Sequence, residues 1–326
     1  MADQNTIIDP YKHINVVLNP DGTLTRPTLV PIIPPSSDPN SNSVISLDIP
    51  LNPSKSTWMR VFQPPNLSCN QKLPLIIYFH GGGFVLYSAS SRPFHESCVK
   101  MASELPAIII SVDYSLAPEN KLPSAYEDGM EALLWVNNQA INGEFEFCKF
   151  VDFSKCFIMG SSSGANITYQ VGLRALKLDL EPVKIIGLIM NQPFFGGIQR
   201  TGSELRMVND RIIPLVVADL MWELALPIGA DKDHEYCNPM AAHFNEIKQL
   251  PRCFVNGYGG DPLVDRQKEF AKMLGEHGAC LVEHYSDDGF HACELFIPDK
   301  AQALVMNIRD FIYSPGIGSN AATSTL

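Results

Sequence analysis

The chain has 326 residues, with 24 Lys and Arg against 35 Asp and Glu, a net charge of −11. Apolar residues make up 45% and charged residues 18%, which is the composition of a folded chain long enough to bury a large core. The acidic balance argues against a nucleic-acid partner, because such proteins carry a basic footprint.

Residues 1–50 are rich in Pro, Asn, Ser and Asp, with a Pro-Asp-Gly turn at 20–22 and Pro34-Pro35. They read as an extended arm with little regular structure. The start has no basic run followed by an apolar core, so no targeting segment is expected. The apolar runs are strand-length, too short to span a bilayer. The expectation is a soluble, cytosolic protein without a membrane partner. The eight cysteines, at 69, 98, 148, 156, 237, 253, 280 and 293, form no CxxC pair and read as reduced thiols.

From residue 73 onward, apolar runs alternate with helical patterns. Leu73–Phe79 (LPLIIYF) and residues 107–112 (AIIISV) read as buried strands. Residues 124–140 read as a helix opened by a capping box at Ser124 and Glu127. A strand at 155–159 (KCFIM) leads into a helix over 163–176, and further strands are expected at 184–190, around 253–255 and at 280–285. Helices are expected over 265–277 and 299–313, and residues 314–326 are expected to fray. Near-continuous apolar strands alternating with helices predict an α/β fold with a mostly parallel sheet covered on both faces. The whole of 1–326 reads as one domain. Residues 194–250 break the rhythm and carry their own helical pattern at 215–226, including Trp222. An insertion of that size predicts a cap or lid over a binding site.

Four motifs carry chemistry. Gly160-Ser161-Ser162-Ser163-Gly164 lies between a strand and a helix, the context of a nucleophile elbow, with Ser162 in the middle. A sharp turn exposes the nucleophile, and the helix N-terminus offers an N–H to a developing oxyanion. His80-Gly81-Gly82-Gly83-Phe84 follows the strand LPLIIYF. Glycines let a loop approach a substrate closely and aim N–H groups at it. No Gly-Lys-Ser/Thr follows, which excludes a Walker loop, and His80 reads as a brace. Asp261 lies in a loop after the strand at 253–255, with Asp265 as its rival, read as a helix N-cap. His291, in Asp288-Gly289-Phe290-His291, lies in the loop after the last strand. The order Ser162, Asp261, His291 is that of α/β-hydrolase triads.

At these residues the chain resembles the hormone-sensitive-lipase branch of the α/β-hydrolases, and more closely the plant carboxylesterases. The resemblance runs from about residue 10 to 313. It rests on HGGGF at 80–84, VDYSLAPE at 112–119, LPSAYED at 122–128, GSSSGAN at 160–166, GDPLVD at 260–265 and GFHA at 289–292, with TGSELR at 201–206 and DHEYCNP at 233–239 inside the insertion. It implies an α/β-hydrolase fold with a helical cap built from about residues 1–45 and about 194–250, and a triad of Ser162, Asp261 and His291. It also implies an oxyanion hole from the N–H groups of Gly81, Gly82, Gly83 and Ser163. Ser161 and Ser115 depart from the family pattern, which usually has an acidic residue and an arginine at these positions.

The implied activity is hydrolysis of a small-molecule carboxylic ester, with acetylated specialised metabolites or volatile esters as the implied substrates and no metal or organic cofactor. Phe84, Phe194, Phe195 and Trp222 are the expected substrate-binding residues. Two other readings stand beside it. Carboxylesterase-like dehydratases and cyclases keep most of the same machinery. The gibberellin receptor resembles this family but lacks the catalytic histidine, which is present here as His291.

Overall fold

A computed structural model describes residues 8–27, 30–36, 43–68, 70–241 and 245–313. Its centre is an eight-stranded sheet in the order β10-β9-β8-β7-β5-β6-β4-β3. In chain order the strands are β3 Ile45–Asn52, β4 Thr57–Gln63, β5 Leu73–Phe79, β6 Ile108–Asp113, β7 Val151–Ser161, β8 Ile185–Asn191, β9 Arg252–Tyr258 and β10 Leu281–Ser286. A separate hairpin pairs β1 Val17–Leu18 with β2 Leu24–Thr25. The six strands from β10 to β6 run parallel, while β4 and β3 are antiparallel additions at one edge.

The helices are α1 Pro10–His13, α2 Arg92–Glu104, α3 Ser124–Asn142, α4 Ser163–Ala175, α5 Gly202–Arg206, α6 Leu215–Ala225, α7 Val264–Glu276 and α8 Pro298–Tyr313. They explain why the central strands, such as β5, are apolar throughout. In β5, Leu75, Ile77 and Phe79 face one core, which also holds residues of α3, α4 and α7, while Ile76 and Tyr78 face the other, against α2 and α8. A strand covered on both faces has no polar alternation to display.

The chain winds from β5 to β6 in one direction and from β7 to β10 in the other. The order therefore reverses between β5 and β7, and a crevice forms outside the carboxyl ends of such a pair. The glycine loop leaves β5 there, and the elbow leaves β7 beside it.

Three local expectations are corrected. The arm is not irregular up to residue 50: Ile45–Asn52 is a strand, and Thr57–Gln63, which follows it, is another. The mixed burial of β3 is that of the strand at the sheet's edge, where Pro50 is tolerated, while β4 is paired on both sides and mostly buried. The capping box at Ser124 is absent: Pro123 is the N-cap, and Ser124 is already inside α3. A capping box does occur at Thr201 and Glu204, opening α5. Asp265 is not the N-cap of α7; that position is Leu263, and the Asp265 carboxylate instead accepts the Ser203 N–H at 2.6 Å.

Among the described residues, no helix is long and apolar enough to cross a membrane.

Candidate active site

Ser162 follows β7 at the turn into α4, with φ 55° and ψ −119°. Left-handed backbone at a non-glycine residue is strained and persists only where its surroundings over-determine it. The flanking glycines supply that constraint. A Cβ on Gly160 would stand 2.1 Å from the Gly164 carbonyl, and one on Gly164 would stand 2.0 Å from the Phe79 carbonyl oxygen. Only glycine fits at either place, so the pentapeptide is dictated by the tightness of the strand–turn–helix junction.

The structure brings Ser162, His291 and Asp261 into one hydrogen-bonded line. His291 Nε2 lies 3.0 Å from Ser162 Oγ, and His291 Nδ1 lies 2.8 Å from Asp261 Oδ2. A carboxylate against Nδ1 holds the proton on that nitrogen, leaving Nε2 free to accept the serine proton. Both partners are buried, His291 at 4% exposure and Asp261 at 0%. Burial lowers the His291 pKa, but the carboxylates around it, Asp261 first and then Glu294 and Asp210, together outweigh it and the net shift is upward.

The glycine loop runs alongside the elbow. A Cβ on Gly81 would meet the Ser161 carbonyl oxygen at 3.1 Å and Ser162 Cβ at 3.3 Å. Gly82 and Gly83 hold positive φ values of 123° and 61°. Ser163 opens α4, so its N–H has no acceptor within the helix. His80 is fully buried, stacks on Tyr114 with ring centroids 4.4 Å apart, and bonds the Gly81 carbonyl through Nδ1 at 2.7 Å. Burial lowers its pKa. It braces the loop from behind.

A cavity of about 290 Å³ opens on Ser162 and His291. Its walls are mostly apolar, with Ile14 from the arm and Ile213 and Met221 from the 194–250 segment facing Leu86 and Phe94. The volume is at the lower end of the small-molecule range.

The model of the alpha/beta hydrolase fold matches residues 76–295. Over 316 residues the chain is 51% identical to "Probable carboxylesterase 8" of Arabidopsis thaliana, covering 94% of each. It is 45% identical to a 3-O-acetylpapaveroxine carboxylesterase of Papaver somniferum, covering 93% of this chain and 97% of that one. The chain belongs to the carboxylesterases of the α/β-hydrolase fold. Among solved structures, a hyperthermophilic esterase from Pyrobaculum calidifontis superposes with a TM-score of 0.70 at 25% identity, over 82% of this chain and 84% of that one.

In this carboxylesterase the arm and the 194–250 segment meet over the site. α1 packs on α6, and Arg26 ties the arm down through Glu119 at 2.6 Å and the Val85 carbonyl at 2.7 Å. α5 is fastened to the aspartate loop: Ser203 Oγ donates to the Pro262 carbonyl, and Arg266 forms a buried two-point ion pair with Glu204.

The four aromatic residues expected to bind substrate take a different place. Phe84, Phe194, Phe195 and Trp222 are at most 1% exposed and pack on one another or on neighbouring core rings, with Phe194 and Trp222 stacked at 4.7 Å. None of them is among the residues lining the cavity. They are core behind the lining because their size suits the interior of the sheet–cap junction better than an open wall.

Other polar residues at the site were not singled out in the sequence. Gln192 and Gln267 both donate to Asp261 Oδ2, at 3.1 and 2.8 Å, and Leu263 N–H donates to Oδ1 at 2.9 Å. Ser161, the departure beside the nucleophile, bonds Asn191 Nδ2 at 3.2 Å, and that amide also donates to the buried Glu294 at 2.6 Å. Burial raises the Glu294 pKa. Gln267 and Leu263 lie within six residues of Asp261, but Gln192, Asn191 and Glu294 reach partners 30 to 103 residues away, and no local pattern marks them.

Proposed function

We propose that this carboxylesterase hydrolyses short-chain esters, acetyl esters of plant specialised metabolites or volatiles, through an acyl-enzyme on Ser162. The observation that carries the reading is the line Ser162–His291–Asp261 on the floor of a small apolar cavity. Ser162 Oγ attacks the ester carbonyl carbon as His291 Nε2 takes the hydroxyl proton. The carbonyl oxygen becomes an oxyanion beside the N–H groups of Gly81, Gly82, Gly83 and Ser163, each donor of this kind contributing about 10²–10³ in rate. His291 then gives its proton to the departing alkoxide, which leaves as the alcohol. Water enters, loses a proton to the same nitrogen and cleaves the acyl-enzyme, releasing the acid and restoring Ser162. Asp261 holds the imidazole in the tautomer both steps need. The arm and the 194–250 segment act as a cap that excludes bulk water and limits the acyl group.

The similarity to an esterase acting on an O-acetylated compound supports acetyl esters as the class. The test is incubation of purified protein with acetylated metabolites and volatile acetates, with products identified by mass spectrometry. Alcohol plus acid supports hydrolysis. An alkene or new ring would instead assign elimination, and binding without any product would assign a receptor.

A further inference from the structure

Gln192 takes no part in the reaction described above, yet it touches both loops that carry the acid–base pair. It directly follows β8 and holds a left-handed backbone, φ 46°, with 1% exposure. Its backbone N–H donates to the Asn256 carbonyl at 2.8 Å, which anchors it to β9. Its side-chain Nε2 donates to Asp261 Oδ2 at 3.1 Å and to the Phe290 carbonyl at 3.0 Å. Its Oε1 accepts the Ala292 N–H at 2.9 Å. Phe290 and Ala292 are the two neighbours of His291 in the chain. One amide thus grips the backbone on both sides of the histidine and the carboxylate that orients its ring. The strained backbone, on the order of 1 kcal/mol or more for a non-glycine residue, is kept where these contacts converge.

We propose that Gln192 is a positioning residue for proton transfer, setting the spacing and register of His291 against Asp261 and Ser162. The proposal rests on the triad reading of the site. Only an amide offers what this place uses, two N–H donors and an acceptor on one planar group. A glutamate would keep the acceptor for Ala292 but set oxygen against the Asp261 carboxylate and the Phe290 carbonyl. A methionine would keep the volume and lose every bond.

The contact also has an electrostatic consequence. Asp261 Oδ2 is shared by His291 Nδ1, Gln192 and Gln267. Each N–H on that oxygen draws charge from it, so removing one strengthens its hold on the imidazolium and raises the His291 pKa further. The other charges facing His291, Glu294 from the turn that follows it and Asp210 from the cap segment, remain in place. Gln267, in α7, serves as the comparison, because it donates to the same oxygen but does not grip residues 290 and 292.

The experiment is kcat and KM for p-nitrophenyl acetate against pH, with melting curves, for wild type, Gln192→Met, Gln192→Glu, Gln267→Met and Ser162→Ala. Gln192→Met is expected to lose about 10²-fold in kcat, the scale of an ångström-sized misplacement, with KM within a few-fold of wild type. The acid limb of its kcat/KM profile should move to higher pH. Gln267→Met should share the shifted limb but lose less kcat. A folded Gln192→Met with wild-type kcat and an unmoved limb would overturn the proposal, as would equal kcat losses in the two methionine variants. Failure of both Gln192 variants to fold would assign the residue to stability and overturn it too. Wild-type turnover by Ser162→Ala would overturn the triad reading itself, whatever the Gln192 variants do.

Discussion

The α-carbon of Gly83 lies against the thioether of Met221, so closely that a Cβ on Gly83 would stand 2.1 Å from the sulfur. The contact joins the glycine loop to α6, and Met221 also lines the cavity. A residue of the 194–250 segment thus packs on the loop proposed to hold the oxyanion, which makes Met221 the side chain best placed to limit the acyl group.

Replacing Met221 by Ala should lengthen the preferred acyl chain. Wild type should favour acetyl and propionyl esters in a p-nitrophenyl series running from acetyl to dodecanoyl. The variant should raise the hexanoyl-to-acetyl ratio of kcat/KM by about tenfold, the discrimination that one or two methylenes provide in an apolar pocket. An unchanged ratio would remove Met221 from the acyl wall.

Gly160→Ala and Gly164→Ala should each abolish activity by moving the elbow, since each new methyl group would overlap backbone atoms that cannot retreat. Circular dichroism melts and ester turnover check this together. Gly143→Ala serves as the control: it meets no neighbouring atom within 4 Å, and its φ of 60° adds only local strain at the C-terminus of α3. It should melt slightly earlier and keep its turnover.

These glycines explain why so much of the site was legible. The elbow, the glycine loop, Asp261 and His291 each sit where one strand ends, and the constraint on each is local: a turn too tight for a side chain, or a loop that must face the sheet's end. The covered strands announced themselves by unbroken apolar runs. The edge strand β3 did not, because its sequence ISLDIPLN mixes polar, apolar and proline residues on a half-covered edge. Gln192 was equally silent, since its partners Asp261, Phe290 and Ala292 lie 69 to 100 residues away. The four aromatic residues were misplaced because bulk near a motif suits a core ring as well as a pocket wall.

The Arg266–Glu204 pair fastens α5 to the helix that follows Asp261, with side chains only 8% and 4% exposed. Glu204→Ala leaves a buried guanidinium with only the Gln199 carbonyl and the half-exposed Glu269, and breaking such buried pairs costs about 3–5 kcal/mol. Urea unfolding should show a loss of that size, and the double variant Glu204→Leu with Arg266→Met should recover much of it. A loss below about 1 kcal/mol would mean that the pair is compensated elsewhere.

Hydrolysis should fall at low pH as His291 takes up a proton and can no longer act as base. Because Asp261 raises its pKa against the effect of burial, the midpoint should lie above the ordinary value of 6.5. Asp261→Asn removes the charge, so its residual activity should show a midpoint at lower pH. A wild-type midpoint below 6.5 would contradict the inferred electrostatics.

The central claim is that Ser162 carries the acyl group. Rapidly quenched enzyme turning over p-nitrophenyl acetate, digested and read by mass spectrometry, should carry one acetyl group on the peptide holding residues 160–164, localised by fragmentation to Ser162. Ser162→Ala should show neither the adduct nor turnover above a small residue, while Ser161→Ala should keep both. An acetyl group on Ser161 or Ser163, or near wild-type turnover by Ser162→Ala, would contradict the account.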